Sequence, residues 1–128
     1  MDTPDIVTRF LDVTGRAVLV SDRQWGTRTV KYLRPRVTLA DGVSLSIQAS
    51  ETHYCTPRDN IGPYTRVEVG SVAPSEGQVS CLATELREYA ELDASGECFS
   101  GIYGYVPVAL LNELIVKHGL FIDYTEDL

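Results

Sequence analysis

Arginines interleaved with aromatic side chains are the residues here best equipped for chemistry, and the chemistry they suit is recognition. Arg23, Trp25 and Arg28 make one group. His53, Tyr54, Arg58, Asn60 and Tyr64 make a second, and Phe99, Tyr103 and Tyr105 a third. A guanidinium grips phosphate oxygens through charge-assisted, often bidentate hydrogen bonds. Aromatic rings stack on nucleobases, and an amide such as Asn60 has the donors and acceptor to read a base edge. A site for a small nucleotide needs these residue types and no nucleophile. The same types are common at protein interfaces, so their spacing leaves both uses open.

Groups for bond-making chemistry are sparse. The three cysteines, Cys55, Cys81 and Cys98, are unevenly spaced and include no CxxC pair, so they read as neither a disulfide framework nor a zinc site. His53 and Cys55 could offer two metal ligands from alternate positions of a strand, but a zinc site needs three or four. The other histidine, His118, lies far along the chain, so no metal is expected. A cysteine nucleophile needs a base. On a strand His53 would share a face with Cys55 at ~6–7 Å, too far for a direct hydrogen bond. The phosphate-cradling GxxxxGK[ST] and GxGxxG loops and the GxSxG elbow are absent. The paired carboxylates, Glu85 with Glu88 and Asp123 with Glu126 and Asp127, read as solvated surface.

The elements that must position these groups belong to one domain of 128 residues, 44 % hydrophobic and 23 % charged. A chain of this size buries on the order of two-thirds of its unfolded surface, enough for a core without staples. No apolar run approaches the ~18 residues of a membrane helix, and the N-terminal sequence has no signal-peptide pattern. The net charge of −7 disfavours long nucleic acid on a broad basic face. The charge is uneven: residues 1–66 carry a net +2 and residues 67–128 a net −9. A local positive surface for a small anion is one reading. Solvated strand edges paired with the acidic half, within the chain or across a homo-oligomer, is the other.

Period-two alternation of Val37, Leu39, Val43, Leu45 and Ile47 around Asp41-Gly42 predicts an antiparallel hairpin of residues 30–40 and 43–49, with positive φ at both turn positions. Pro35, unable to donate to a ladder, marks an edge or bulge. Residues 6–11 fit a helix or a strand equally well, and 17–20 read as a strand. A loop is expected at 22–27 and a longer one at 50–64, followed by a strand at 65–69. Val79, Leu82, Ala83, Leu86 and Tyr89 make a helical stripe over 75–89. A loop at 93–101 then leads to a strand at 102–106, whose Gly104 allows close approach of a ligand or backbone. Pro107 suits the first position of a final helix, with Val108, Leu111, Leu114 and Ile115 buried. His118, in its last turn, suits a structural role. The expected fold is α+β, an antiparallel sheet packed on one or two helices. Residues 1–20 are expected to be a variable extension, and 120–128 an acidic, frayed tail.

Three stretches carry a resemblance: Ala40 to Ser50 around Asp41-Gly42, His53-Tyr54-Cys55-Thr56-Pro57-Arg58, and Gly62-Pro63-Tyr64-Thr65-Arg66-Val67-Glu68-Val69-Gly70. Tyr103-Gly104-Tyr105-Val106-Pro107-Val108 and Lys117-His118-Gly119 extend it, so it covers roughly residues 25–119. The text resembles small bacteriophage and prophage proteins, specifically the first type of Thoeris anti-defence protein. The resemblance implies a sponge in the cytoplasm of the infected bacterium. Such a protein sequesters the cyclic ADP-ribose-type signal of a TIR-domain immune system without cleaving it. Some members also hold cyclic oligonucleotides, and they assemble as dimers or hexamers. It further implies that Arg28 and Arg58 bind phosphate and that Phe99, Tyr103 or Tyr105 stacks on adenine. A late arginine expected in such a site is missing, since none follows Arg87, and Lys117 or His118 would have to substitute.

Three functions therefore compete. The first is a nucleotide-signal sponge that uses no cofactor and binds neither membrane nor bulk nucleic acid. The second is a module that inhibits a host defence protein by direct binding. The third is a small hydrolase or transferase using Cys55 or His53.

Overall fold

The computed structural model describes residues 4–14, 17–21, 28–32, 34–73, 81–96 and 99–124. Helix α1 (Ile6–Thr14) is followed by strands β1 (Ala17–Ser21), β2 (Arg28–Tyr32), β3 (Val37–Leu39), β4 (Ser44–Gln48) and β5 (Arg66–Ala73). Then come the short helix α2 (Cys81–Glu85), a 3-10 turn (Arg87–Tyr89), β6 (Ala90–Leu92), β7 (Phe99–Pro107), α3 (Val108–Lys117) and β8 (Phe121–Tyr124). The fold is α+β: a six-stranded antiparallel sheet in the order β6-β7-β5-β4-β3-β8, the separate β1–β2 ribbon, and the helices.

Alternation dictates the core. Leu39, Leu45, Ile47, Val67 and Val69 are fully buried, whereas Thr38, Ser46 and Glu68 between them are only partly covered. Val7, Phe10 and Leu11 of α1, Leu82 and Leu86 at α2, and Leu111 and Ile115 of α3 join the same cluster. Leu111 and Ile115 stand one turn apart on the α3 stripe, and full burial of each is worth about 1.5–3 kcal/mol. The ambiguous segment 6–11 is thus a helix. Its apolar residues recur at helical spacing and find α3, where Asn112 Oδ1 accepts the Val7 N–H at 2.9 Å. Part of the expected N-terminal extension therefore belongs to the core.

Several boundaries differ from the sequence expectation. The first hairpin arm, expected over 30–40, is split between β2, which pairs with β1, and β3, which pairs with β4. The break falls around Pro35, and Gln48 takes up both backbone groups of Arg34 at 2.8 Å instead of a strand doing so. The turn has three residues: Gly42 N–H donates to Leu39 O at 2.9 Å, and the Asp41 carboxylate accepts from Val43 N–H at 3.1 Å. Gly42 has φ 93°, and Asp41 does not share its positive φ. This is a tight turn with a left-handed glycine rather than two left-handed residues.

Of the helix expected over 75–89, the described residues are helical over Cys81–Glu85 and then give way to the 3-10 turn and β6; residues 75–80 lie outside the described residues, as do 22–27. Strand β7 starts at Phe99, within the expected loop 93–101, because Leu92 pairs across from Phe99. Pro107 closes β7 and precedes α3, serving as its N-cap. Of the tail expected to fray over 120–128, Phe121–Tyr124 form β8 on β3, with Ala40 N–H donating to Leu120 O at 2.9 Å, and residues 125–128 lie outside the described residues.

Candidate functional site

The 50–64 loop is irregular but fully tied down. Ser50 Oγ accepts from Thr52 N–H at 3.1 Å and bonds His53 Nδ1 at 2.6 Å. Asp59 accepts from the N–H groups of Ile61 and Gly62, at 3.0 and 2.9 Å. Tyr64 OH donates to Asp59 O at 2.7 Å. The Thr56–Pro57 and Gly62–Pro63 peptide bonds are cis. Thr56 bridges to Arg66 at the start of β5, fastening the loop to the sheet.

This framework presents Tyr54. Its N–H donates to Glu68 Oε1 at 3.2 Å, and its carbonyl accepts from Tyr105 N–H at 3.0 Å. The two rings stack with centroids 5.9 Å apart and planes inclined by 27°. The Arg58 guanidinium carbon stands 5.7 Å from the centre of the Tyr54 ring, within cation–π range. Tyr54 is 40 % exposed, Tyr105 half-buried and Arg58 exposed. No ion pair of Arg58 occurs among the described residues. The carboxyl of Glu68 is raised above its usual range by burial, against the Tyr54 N–H and the nearby Arg58 charge, which lower it. The surface therefore offers aromatic faces, an exposed guanidinium and a half-buried carboxyl.

Tyr105 reaches it by an irregularity. Between the pairs Val67↔Val106 and Val69↔Tyr103, β7 spends one residue more than β5, and Tyr105 takes φ 55°. A left-handed conformation in a bulky aromatic is a real outlier, costing on the order of 1–2 kcal/mol, and such strain concentrates at working sites. The bulge puts Tyr103 and Val106 in the core and leaves Tyr105 beside Tyr54. Gly104, expected to admit a ligand or backbone, is instead approached by the Glu91 side chain: a Cβ there would meet Glu91 Oε1 at 2.6 Å.

Of the eleven residues singled out in the sequence for binding, Tyr54, Arg58 and Tyr105 are brought together. His53 is 9 % exposed and bonded to Ser50, and Asn60 Oδ1 accepts the Glu51 N–H at 3.0 Å. Phe99 and Tyr103 pack on each other at 5.0 Å, Tyr103 inside the core and Phe99 half exposed. The side chain of Arg28, on β2, and the whole of Arg23 and Trp25 lie outside the described residues. Lys117 and His118 are committed to carboxylates, so neither replaces the missing late arginine: Lys117 Nζ lies 2.7 Å from Glu85 Oε2, and His118 sits between Asp41 and Glu85. Glu68 was not singled out. Its alternation with Val67 and Val69 marked the face, but only the tertiary fold sets that face beneath Tyr54.

His53 and Cys55 lie in the loop rather than on a strand. The Cys55 Sγ donates to Ser50 O and Pro57 O at 3.1 and 3.3 Å, and burial pushes its pKa up, favouring the thiol. Among the described residues no helix is long and apolar enough to cross a membrane. Comparison with protein-family models, curated proteins and solved structures finds no match for this chain.

Proposed function

We propose that the chain binds a small anionic nucleotide at Tyr54, Arg58 and Tyr105 and sequesters it uncleaved. The observation that carries this reading is the strained Tyr105. Glycine would take its φ of 55° without cost, whereas this chain carries a tyrosine there, and its ring lies in a stack that a base can extend. Arg58 then supplies the phosphate contact, and the Glu68 carboxyl a partner for a ribose hydroxyl or a base N–H. Sequestration rather than turnover is supported by the side chains of Cys55 and His53: the thiol bonds the Ser50 and Pro57 carbonyls, and the imidazole bonds the Ser50 hydroxyl. With the resemblance to Thoeris anti-defence proteins, the ligand is a cyclic ADP-ribose isomer, with cyclic oligonucleotides as the related class. The setting is the cytoplasm of a phage-infected bacterium, and the assembly a dimer or hexamer.

A second reading, inhibition of a host defence protein by direct binding, is favoured by one feature. Leu92 and Phe99 pair across β6 and β7 at the sheet's edge and are 56 % and 50 % exposed.

The test is retention. The protein is mixed with cyclic ADP-ribose isomers and with cyclic di- and trinucleotides, filtered and heat-denatured, and the released material is separated by liquid chromatography. Intact ligand, released only on denaturation and lost in Tyr105→Gly and Arg58→Glu, is the expected result. Chemically altered ligand would make the chain an enzyme. No retention of any of these nucleotides would refute the proposal and turn attention to the Leu92–Phe99 edge.

A further inference from the structure

A separate groove of about 490 Å3 runs along α1, lined by Ile6, Phe10 and Val13, by Pro4 before the helix, and by Phe121 of β8. Its volume falls within the ~300–1,000 Å3 of small-molecule sites, which are mostly apolar with a few placed polar groups. Phe10 and Phe121 meet edge to face within it, centroids 5.5 Å apart. Val13 is 69 % exposed, one helical turn beyond the buried Phe10. Three polar side chains share the lining, and two are committed. The Asp5 carboxylate accepts from Thr8 N–H and Asn112 Nδ2, each at 3.1 Å, and Thr14 Oγ1 donates to Phe10 O. The guanidinium of Arg9 has no ion pair or hydrogen bond among the described residues.

We propose that this groove binds a free single-chain acyl carboxylate, its hydrocarbon along Ile6, Phe10, Val13 and Phe121 and its carboxylate on Arg9. The apolar lining selects a hydrocarbon chain, because each methylene removed from water adds to affinity and needs no partner. Arg9, the cation in this lining, selects an anionic end. Asp5, just before α1 and four residues from Arg9, repels a second negative charge, which favours a carboxylate over a phosphate monoester. Thr14 is already bonded within the helix, so a neutral polar head finds less to replace its water.

The full chain is titrated with hexanoate to dodecanoate below their micelle concentrations, with 1-decanol as the neutral control, and binding is read by calorimetry and by NMR shifts of α1. Kd is expected to fall about fourfold per added methylene until the groove is full. Arg9→Gln is expected to weaken decanoate about tenfold and leave 1-decanol unchanged, and Val13→Asp to weaken both. Arg9 and Val13 are exposed, so both variants keep the wild-type melting temperature, which is measured alongside. The proposal is overturned by absence of saturable binding at every chain length, by affinity independent of chain length, or by decanoate affinity indifferent to Arg9→Gln. Flotation with anionic phospholipid vesicles without affinity for free carboxylates overturns it equally, as does capture of an apolar peptide alone.

Discussion

Replacing His118 with alanine should remove a charge clamp joining three elements and flatten the alkaline limb of stability. His118 is 8 % exposed at the C-terminal end of α3. Its Nδ1 meets Asp41 of the β3–β4 turn, and its Nε2 lies 2.7 Å from Glu85 Oε1 at the end of α2. Both ring nitrogens face carboxylates, so both must donate, and the imidazolium is the form that fits. Burial by itself depresses the His118 pKa, but the hydrogen bonds to Glu85 and Asp41 overcome it and hold the pKa above 6.5. Burial likewise acts to raise Asp41 and Glu85. The bond from His118 holds Asp41 below 3.8, and those from Lys117 and His118 hold Glu85 below 4.5.

A raised histidine stabilises fully below its unfolded pKa and loses that contribution as pH climbs through the folded value. Depressed carboxylates stabilise above their unfolded pKa and lose it as pH falls through theirs. The clamp is therefore complete between about pH 4.5 and 6.5 and weakens on both sides. Hydrogen bonds to charged groups are worth about 1.5–3 kcal/mol each. The Asp41 side chain is 38 % exposed, so solvent screening places its bond at the low end or beneath it. Together with the lost ring packing, His118→Ala should cost about 3 kcal/mol at pH 5.5, or roughly 10 °C in Tm. Urea unfolding at pH 5.5, 7 and 9 checks this. The wild type should lose stability between pH 5.5 and 9 as the His118 imidazolium gives up its proton, and the variant should lose less. Parallel stability curves for the two proteins over that range would refute the clamp.

Two further outcomes follow from buried groups. Arg34 is 7 % exposed, and its guanidinium donates to Leu11 O and Ala49 O, tying α1 to the end of β4. Arg34→Ala should strand those carbonyls and cost about 2–4 kcal/mol in urea unfolding; Arg34→Lys should recover less than half, because one ammonium cannot span both acceptors at the fork spacing. Cys55, 1 % exposed with its thiol favoured by burial, should resist alkylation at pH 8 until the chain is unfolded, as followed by peptide mass spectrometry; modification at the rate of a free thiol would contradict the packing.

How legible the fold was depended on the range of the forces involved. The β3–β4 turn, the β5 alternation and the α3 stripe were readable because each lies in a few neighbouring residues and has a fixed period. The split of the first hairpin arm was only half readable. Pro35 announced a break, but the partner of β2 lies in β1, and no local pattern names it. Strand β8 was misjudged because an acidic tail resembles solvated chain until β3 offers it an open edge. Helix α2 ends before its stripe does, since Tyr89 and Ala90 give up helical bonds to approach β7, where Ala90 pairs with Tyr103.

The candidate site divides the same way. The sequence by itself determined the inventory: an α+β chain, arginines and tyrosines fit to hold a nucleotide, and no recognisable catalytic motif. Only the tertiary structure decided which of those residues meet. Tyr54 and Tyr105 are 51 positions apart in the numbering and stack because a bulge in β7 turns one ring toward a loop pinned on β5. Spacing along the chain carries information about neighbours within a turn or a strand. The register between strands, and the extra residue that re-aims a side chain, are set by the packing of the whole sheet against its helices.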